Sequence, residues 1–229
     1  MPHREHTSTQ YEQQLRDLKH KLLLMSHEAE QMISDSIRSL VERRPSLAEA
    51  VIARDDEVDQ LEIEVDNLCH EILVRDQPVA NDLRLIATVM KIVKDIERIG
   101  DIGVNISERV VELIREPELK PIVDLPIMAE AAQKILAESL DAFVNSDTEL
   151  AQKVIFKDRV LDHLYEQIFR ELLTYMLEDP RSISRAIKLI FIAKALERVG
   201  DHAANVAEMV VFLVKGQDIR HAKSAHNGL

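Results

Sequence analysis

Apolar residues recur along this chain in alternating steps of three and four. Leu15, Leu18, Leu22, Met25, Ala29 and Met32 follow that rhythm, as do Val58, Leu61, Val65, Leu68 and Ile72. Such spacing turns one face of an α-helix inward. Proline punctuates the pattern. Pro45, Pro78, Pro117, Pro121, Pro126 and Pro180 each remove a backbone donor and crowd the preceding turn, so they mark breaks. The third helix is expected over about 81–114 and the sixth over about 182–215, with Gly216 as its stop. Helices near 127–144 and 148–177 flank the turn Asn145-Ser146-Asp147. The pattern therefore predicts six helices.

The two halves repeat one another. Leu47-Ala48 and Val51-Ile52 return as Leu150-Ala151 and Val154-Ile155, and Asp55, Asp59 and Leu61 as Asp158, Asp162 and Leu164, all at an offset of 103. Farther on, Lys94, Glu97-Arg98-Ile99-Gly100-Asp101, Asn105 and Glu108 return as Lys194, Glu197-Arg198-Val199-Gly200-Asp201, Asn205 and Glu208, now at an offset of 100. The change falls near Pro78 and Pro180, where a connection absorbs a difference in length. Long helices with short connections pack as antiparallel bundles. The expected fold is thus all-α, two tandem pseudo-symmetric three-helix bundles. A tail over 1–10 precedes the first bundle (11–116), a linker (117–125) joins it to the second (126–216), and a tail over 217–229 follows.

Helix geometry groups the repeated acids. At 100° per residue, Glu97, Asp101, Asn105 and Glu108 project within roughly 80° of one another, beside the apolar stripe of their helix. Asp55 and Asp59 on the preceding helix are also four apart, and Asp55 occupies a slot between Val51 and Val58 where an apolar residue is expected. If the helices face each other, four carboxylates converge in each bundle: Asp55, Asp59, Glu97 and Asp101, then Asp158, Asp162, Glu197 and Asp201. Crowded, partly buried acids repel unless a cation compensates. With the Asn105 and Asn205 carbonyls, this oxygen-rich set suits Mg²⁺, Mn²⁺, Zn²⁺ or iron, and Ca²⁺ as well. Three of the five glycines, Gly100, Gly103 and Gly200, lie inside these helices although each costs about 1 kcal/mol there. They let a neighbour come close or leave room for an ion. Taken singly, Glu-x-x-x-Asp carries little weight, because solvated helix faces are full of such pairs and Lys94 or Arg98 neutralises acids at helical spacing.

Composition narrows the choices. A net charge of -12 argues against nucleic acid, which needs clustered Lys and Arg. The single cysteine, Cys69, has no internal partner, which fits a reducing compartment, and its place in an apolar pattern marks it as a core residue. The amino terminus lacks the pattern of a secretory signal, and apolar runs such as Leu189–Ala193 fall far short of the roughly 20 residues of a membrane span. The expectation is a cytoplasmic protein without membrane insertion. His20, His27, His70, His163 and His202 are scattered, and there is no Glu-x-x-His, P-loop, G-x-G-x-x-G or G-x-S-x-G. No nucleophile is paired with a base, so no catalytic residues are assigned.

Several segments together resemble the PhoU family. They are the paired Glu-Arg-(Ile/Val)-Gly-Asp segments at 97 and 197, Gln77 to Arg84, Leu173 to Asp179, and Val214 to His221. The resemblance spans about residues 12–221. It implies a cytoplasmic homodimer of tandem bundles whose acidic motifs bind metal in some members. It also implies a negative regulator of the phosphate regulon that modulates phosphate uptake. Its partners would be the ATPase subunit of the phosphate ABC transporter and a phosphate-sensing histidine kinase. The alternative readings are a carboxylate metal-binding protein or metal-dependent enzyme, and a helical scaffold whose repeats only preserve packing.

Overall fold

Helices account for every regular element among the described residues, which in this computed structural model are 4–120 and 122–219. In chain order they are α1 (Arg4–Val41), α2 (Pro45–Ala53), α3 (Asp55–Asp76), α4 (Ala80–Ile114), α5 (Asp124–Asn145), α6 (Thr148–Glu178) and α7 (Ile183–Lys215). A short 3-10 turn, Pro180–Ser182, leads into α7. Helices α1 to α4 form one bundle and α5 to α7 the other, so the six-helix plan holds with its second position interrupted. No described helix is long and apolar enough to cross a membrane.

The interruption falls at Arg54, and the sequence around it says why. Asp55, Asp56 and Glu57 give α3 three acids in its first turn, where the positive end of the helix dipole favours them. The corresponding residues of α6 are Asp158, Arg159 and Val160, and α6 runs through without a break. Both halves brace this point with the same cross-link. Arg54 Nη2 lies 3.0 Å from Asp35 Oδ2 of α1, and Lys157 Nζ lies 2.7 Å from Glu138 Oε1 of α5. Asp35 and Glu138 are again 103 residues apart.

Other boundaries follow capping chemistry. Asp147 caps α6 by accepting hydrogen bonds from the backbone N–H groups of Glu149 (2.9 Å) and Leu150 (3.0 Å). Gly216 ends α7 in the left-handed region (φ 68°), with its N–H donating to Phe212 O at 2.8 Å. Helix α1 starts at Arg4, inside the stretch assigned to a tail, because no proline or glycine interrupts the chain between there and Pro45. Residues 1–3 and 220–229 of the two expected tails lie outside the described residues. The change of offset is taken up between the helices. Gln77, Pro78 and Val79 separate α3 from α4, whereas only Asp179 precedes the turn that runs into α7.

Fully buried aliphatic side chains line α1, α4, α5 and α7, joined by Val58, Val65, Cys69 and Ile72 from α3 and by Val154, Leu161, Ile168 and Leu172 from α6. The bundles join along α4 and α7, which run antiparallel. Arg84 Nη1 donates to Leu213 O at 3.2 Å, Asp95 meets His202, and Lys188 Nζ lies 3.5 Å from Glu112 Oε2. Where α1 crosses α4, Gly103 allows contact with backbone: a Cβ there would lie 3.0 Å from Met32 Cβ and 3.3 Å from Met32 C.

Candidate functional site

The acids of the first bundle are brought together where α3 faces α4. Burial first, and then the charges of Asp59, Asp101 and Asp56, hold the Asp55 carboxyl above its ordinary range. Asp59 is shifted the same way by burial, Glu62, Asp101 and Asp56. Glu97 is raised by burial and Asp101, with Arg98 opposing, and further by Glu62 and Asp59. Asp55, Asp59, Glu97 and Asp101 therefore share one field, with Glu62 as a member that the repeat did not single out. Its signal was present: Glu62 follows Asp55 by seven residues and Asp59 by three, on the same face of α3.

Two cations answer part of this charge. Arg98 Nη1 lies 3.0 Å from Asp101 Oδ2, and Nε lies 3.5 Å from Glu97 Oε2. Lys94 Nζ lies 2.6 Å from Glu62 Oε1 and 3.4 Å from Asp66 Oδ2. Neither cation reaches Asp55 or Asp59, whose carboxyls burial and neighbouring acids hold above their ordinary value.

The second bundle arranges its set differently. Glu197 is only 8% exposed, and its Oε2 lies 2.6 Å from Lys194 Nζ. Asp158 presses on α7 at Gly200, where an added Cβ would lie 2.7 Å from Asp158 Oδ1 and would collide with Leu161. Gly200 is thus the residue that admits this carboxylate against α7. Asp162 is half-buried and Asp201 exposed.

The two asparagines are used elsewhere. Asn105 is exposed and donates to Asp101 O of its own helix at 2.8 Å. Asn205 donates to Asp95 Oδ1 at 3.0 Å across the α4–α7 seam, where His202 Nδ1 also lies 2.9 Å from the same oxygen. The repeat explains the difference: position 95 is Asp, but its counterpart, position 195, is Ala, so Asn105 has no acid to reach. As they stand, no three His, Cys, Asp or Glu side chains among the described residues close on one point as an ion cage requires. The donor types suit a hard or borderline cation, and closing them on one would need side-chain rotation.

Cys69 is fully buried. Burial, and then the charge of Asp66, push its thiol up to about 12, which withholds the thiolate a nucleophile needs. His20 and His27 stand exposed on α1.

Known proteins match this arrangement over nearly its full length. The PhoU domain family matches the chain twice, over residues 22–110 and 125–210. The phosphate-specific transport system accessory protein PhoU homolog of Pseudomonas aeruginosa is 41% identical over 217 residues, covering 94% of this chain and 90% of that protein. The accessory protein PhoU of Escherichia coli is 34% identical, covering 95% and 90%. The crystal structure of PhoU from Pseudomonas aeruginosa superimposes with a TM-score of 0.86 at 40% identity, over 90% of this chain and all of that one. The phosphate transport system regulatory protein PhoU from Streptococcus pneumoniae gives a TM-score of 0.83 at 25% identity, over 91% and 98%.

Proposed function

This chain belongs to the PhoU family, and on that premise we propose that it is a cytoplasmic negative regulator of phosphate uptake and of the phosphate regulon. In this reading it is an adaptor. It links the ATPase subunit of the phosphate ABC transporter to a phosphate-sensing histidine kinase and restrains both when phosphate is plentiful. The observation that carries the reading is the likeness to phosphate-transport accessory proteins along both bundles, not one of them alone. A role through binding rather than catalysis agrees with long exposed helix faces and with the buried, protonated thiol of Cys69.

Deleting the gene is expected to switch on phosphate-starvation promoters in phosphate-rich medium. A promoter reporter that stays silent in the deletion strain would sink the proposal. Affinity capture of the full chain from phosphate-replete cells is expected to retain the ATPase subunit and the kinase.

A second reading concerns the acids. We propose that Asp55, Asp59, Glu97 and Asp101 hold a divalent or iron ion in the first bundle, and Asp158, Asp162, Glu197 and Asp201 a second, each cross-linking neighbouring helices. The raised carboxyls of Asp55, Asp59 and Glu97 support it, because a cation would offset the cost of burying their charged forms and, after that, their mutual repulsion. A carboxyl held above its ordinary value binds a proton more tightly in the folded chain than in the unfolded one. Its charged form therefore weakens the fold above the raised value, and the penalty fades as pH falls toward the ordinary 3.8 for Asp55 and 4.5 for Glu97.

In chelator at neutral pH, Asp55→Asn and Glu97→Gln are each expected to raise the melting temperature by roughly 1–2 °C, with the gain shrinking in acid. Added Mn²⁺ is expected to stabilise the unsubstituted chain and not the Glu97→Gln/Asp101→Asn variant. Equal responses in the two would remove the metal from this account.

A further inference from the structure

The internal repeat supplies a control for judging the two ends of the α4–α7 seam. Thr88, Glu112 and Glu116 of α4 and the residues after it correspond to Lys188, Phe212 and Gly216 of α7 and its cap. Because the two helices run antiparallel, Lys188 meets Glu112 and Glu116 at one end, while Thr88 shares the other end with Phe212 and Gly216. Equivalent positions thus meet twice, once as ion pairs and once as residues that carry no charge.

The charged end is firmly clasped. Lys188 Nζ lies 2.9 Å from Glu116 Oε1 and 3.5 Å from Glu112 Oε2. The hydrogen bond to Glu116 holds this ammonium group above its ordinary value, with burial opposing. Arg185 Nη1 donates to Pro117 O at 3.0 Å. Arg43 Nη2, from the turn after α1, donates to Ile114 O at 2.8 Å and to Glu116 O at 2.7 Å. Cations from two different elements therefore grip the carboxyl end of α4, where the helix dipole favours them.

The opposite end is held more lightly. Arg84 Nη1 donates to Leu213 O at 3.2 Å, and its Cζ lies 3.4 Å from where a Cβ on Gly216 would stand. Lys91 Nζ sits 5.4 Å from the centre of the Phe212 ring. Thr88 projects within about 20° of Asp95 and about 40° of Arg84, on the stripe of α4 that faces α7. It is fully buried, and its hydroxyl has no hydrogen-bond partner in the protein. An unpaired buried hydroxyl weakens the contact that encloses it. The charged end shows that this fold accommodates an ionic clasp at these positions, and the Thr88 end is built without one. We propose that the seam is a one-sided hinge: the bundles pivot about the Arg185–Lys188 end, and the gap opens between the start of α4 and the end of α7, around Thr88 and Phe212. The contact of Asp95 with His202 and Asn205 limits how far the opening runs. A ligand or partner that touches both bundles shifts this hinge by the difference in its affinity for the closed and open forms.

Distances between spin labels on the two bundles of the full chain test this. Val74 of α3 and Gln152 of α6 are exposed near the opening end, and Glu49 of α2 and Glu178 of α6 near the clasped end. Labels enter as Val74→Cys/Gln152→Cys or Glu49→Cys/Glu178→Cys. Cys69 stays unlabelled because it is buried and its thiol is pushed up to about 12. Labelled chain is diluted into unlabelled chain, so that each distance is intramolecular. The Val74/Gln152 distance is expected to spread about 2 Å more widely than the Glu49/Glu178 distance, the scale on which packed helices shift. Arg84→Met is expected to widen the first distribution alone, and Lys188→Met the second. Thr88→Lys/Phe212→Glu, which rebuilds the ionic clasp at the open end, is expected to narrow the first to the width of the second. Helicity of each variant is checked by circular dichroism. Equal widths at the two ends of the unsubstituted chain would overturn the proposal. So would an equal widening of both pairs by Arg84→Met, a Glu49/Glu178 distance indifferent to Lys188→Met, or a fully helical Thr88→Lys/Phe212→Glu chain that stays wide.

Discussion

Replacing Gly103 by valine is expected to lower the stability of the fold by about 2–3 kcal/mol, read as a shift in urea midpoint. The new Cβ would meet Met32 Cβ at 3.0 Å and its backbone carbonyl carbon at 3.3 Å. Met32 is fully buried, so relief requires α1 itself to move. Any other residue is a better helix former than glycine except proline, yet that gain of less than about 1 kcal/mol does not offset a backbone collision. The second bundle offers the comparison. Ala203 occupies the matching position there, fully buried. Ala203→Gly is expected to cost about 1 kcal/mol, through helix propensity. Equal effects at the two sites would show that the close crossing of α1 and α4 carries no energetic weight.

Lys120→Met is expected to cost about 2 kcal/mol, or roughly 5 °C in melting temperature. Lys120 belongs to the connection between the bundles and is only 8% exposed. Its Nζ lies 2.7 Å from Asp124 Oδ2 at the start of α5 and 2.5 Å from Glu171 Oε2 on α6. Burial opposes its charge, but the hydrogen bonds to Asp124 and Glu171 outweigh burial and leave its pKa raised. Removing the ammonium group strands two acids against each other. They are partly open to water, which keeps the loss below that of a fully enclosed pair.

The same contact sets a pH dependence. Lys120 above all, with burial opposing, holds Asp124 below its ordinary 3.8. Its stabilisation is therefore complete above that value and disappears only as pH falls through the depressed one. The difference between the unsubstituted chain and Lys120→Met should persist through neutral pH and narrow only in strong acid.

Much of this molecule was legible in its sequence because repetition filters noise. The three-four rhythm marks the helices, and the offset of 103 marks the two bundles. The same offset held a further pair, Asp35–Arg54 and Glu138–Lys157, that spacing alone does not reveal, because the partners lie on different helices. The break at Arg54 was also readable in principle. Three successive acids signal a helix start as strongly as the proline at position 45 does, but the apolar stripe runs through unbroken and hides it.

The asparagines went the other way. Equal spacing suggested equal roles, yet a long-range contact with Asp95 decides what Asn205 does, and no local pattern encodes that contact. Lys120 was equally hidden. A lysine in a linker looks solvated until the helices that bury it are placed.

The antiparallel pairing of α4 and α7 has a further result. With Asp95 against both His202 and Asn205, Glu97 comes level with Asp201, and Asp101 with Glu197. Motifs 100 residues apart in the chain thus stand at one height along the α4–α7 seam. A slide of either helix along its axis would carry one motif past the other, so the contact of Asp95 with His202 and Asn205 fixes their common height.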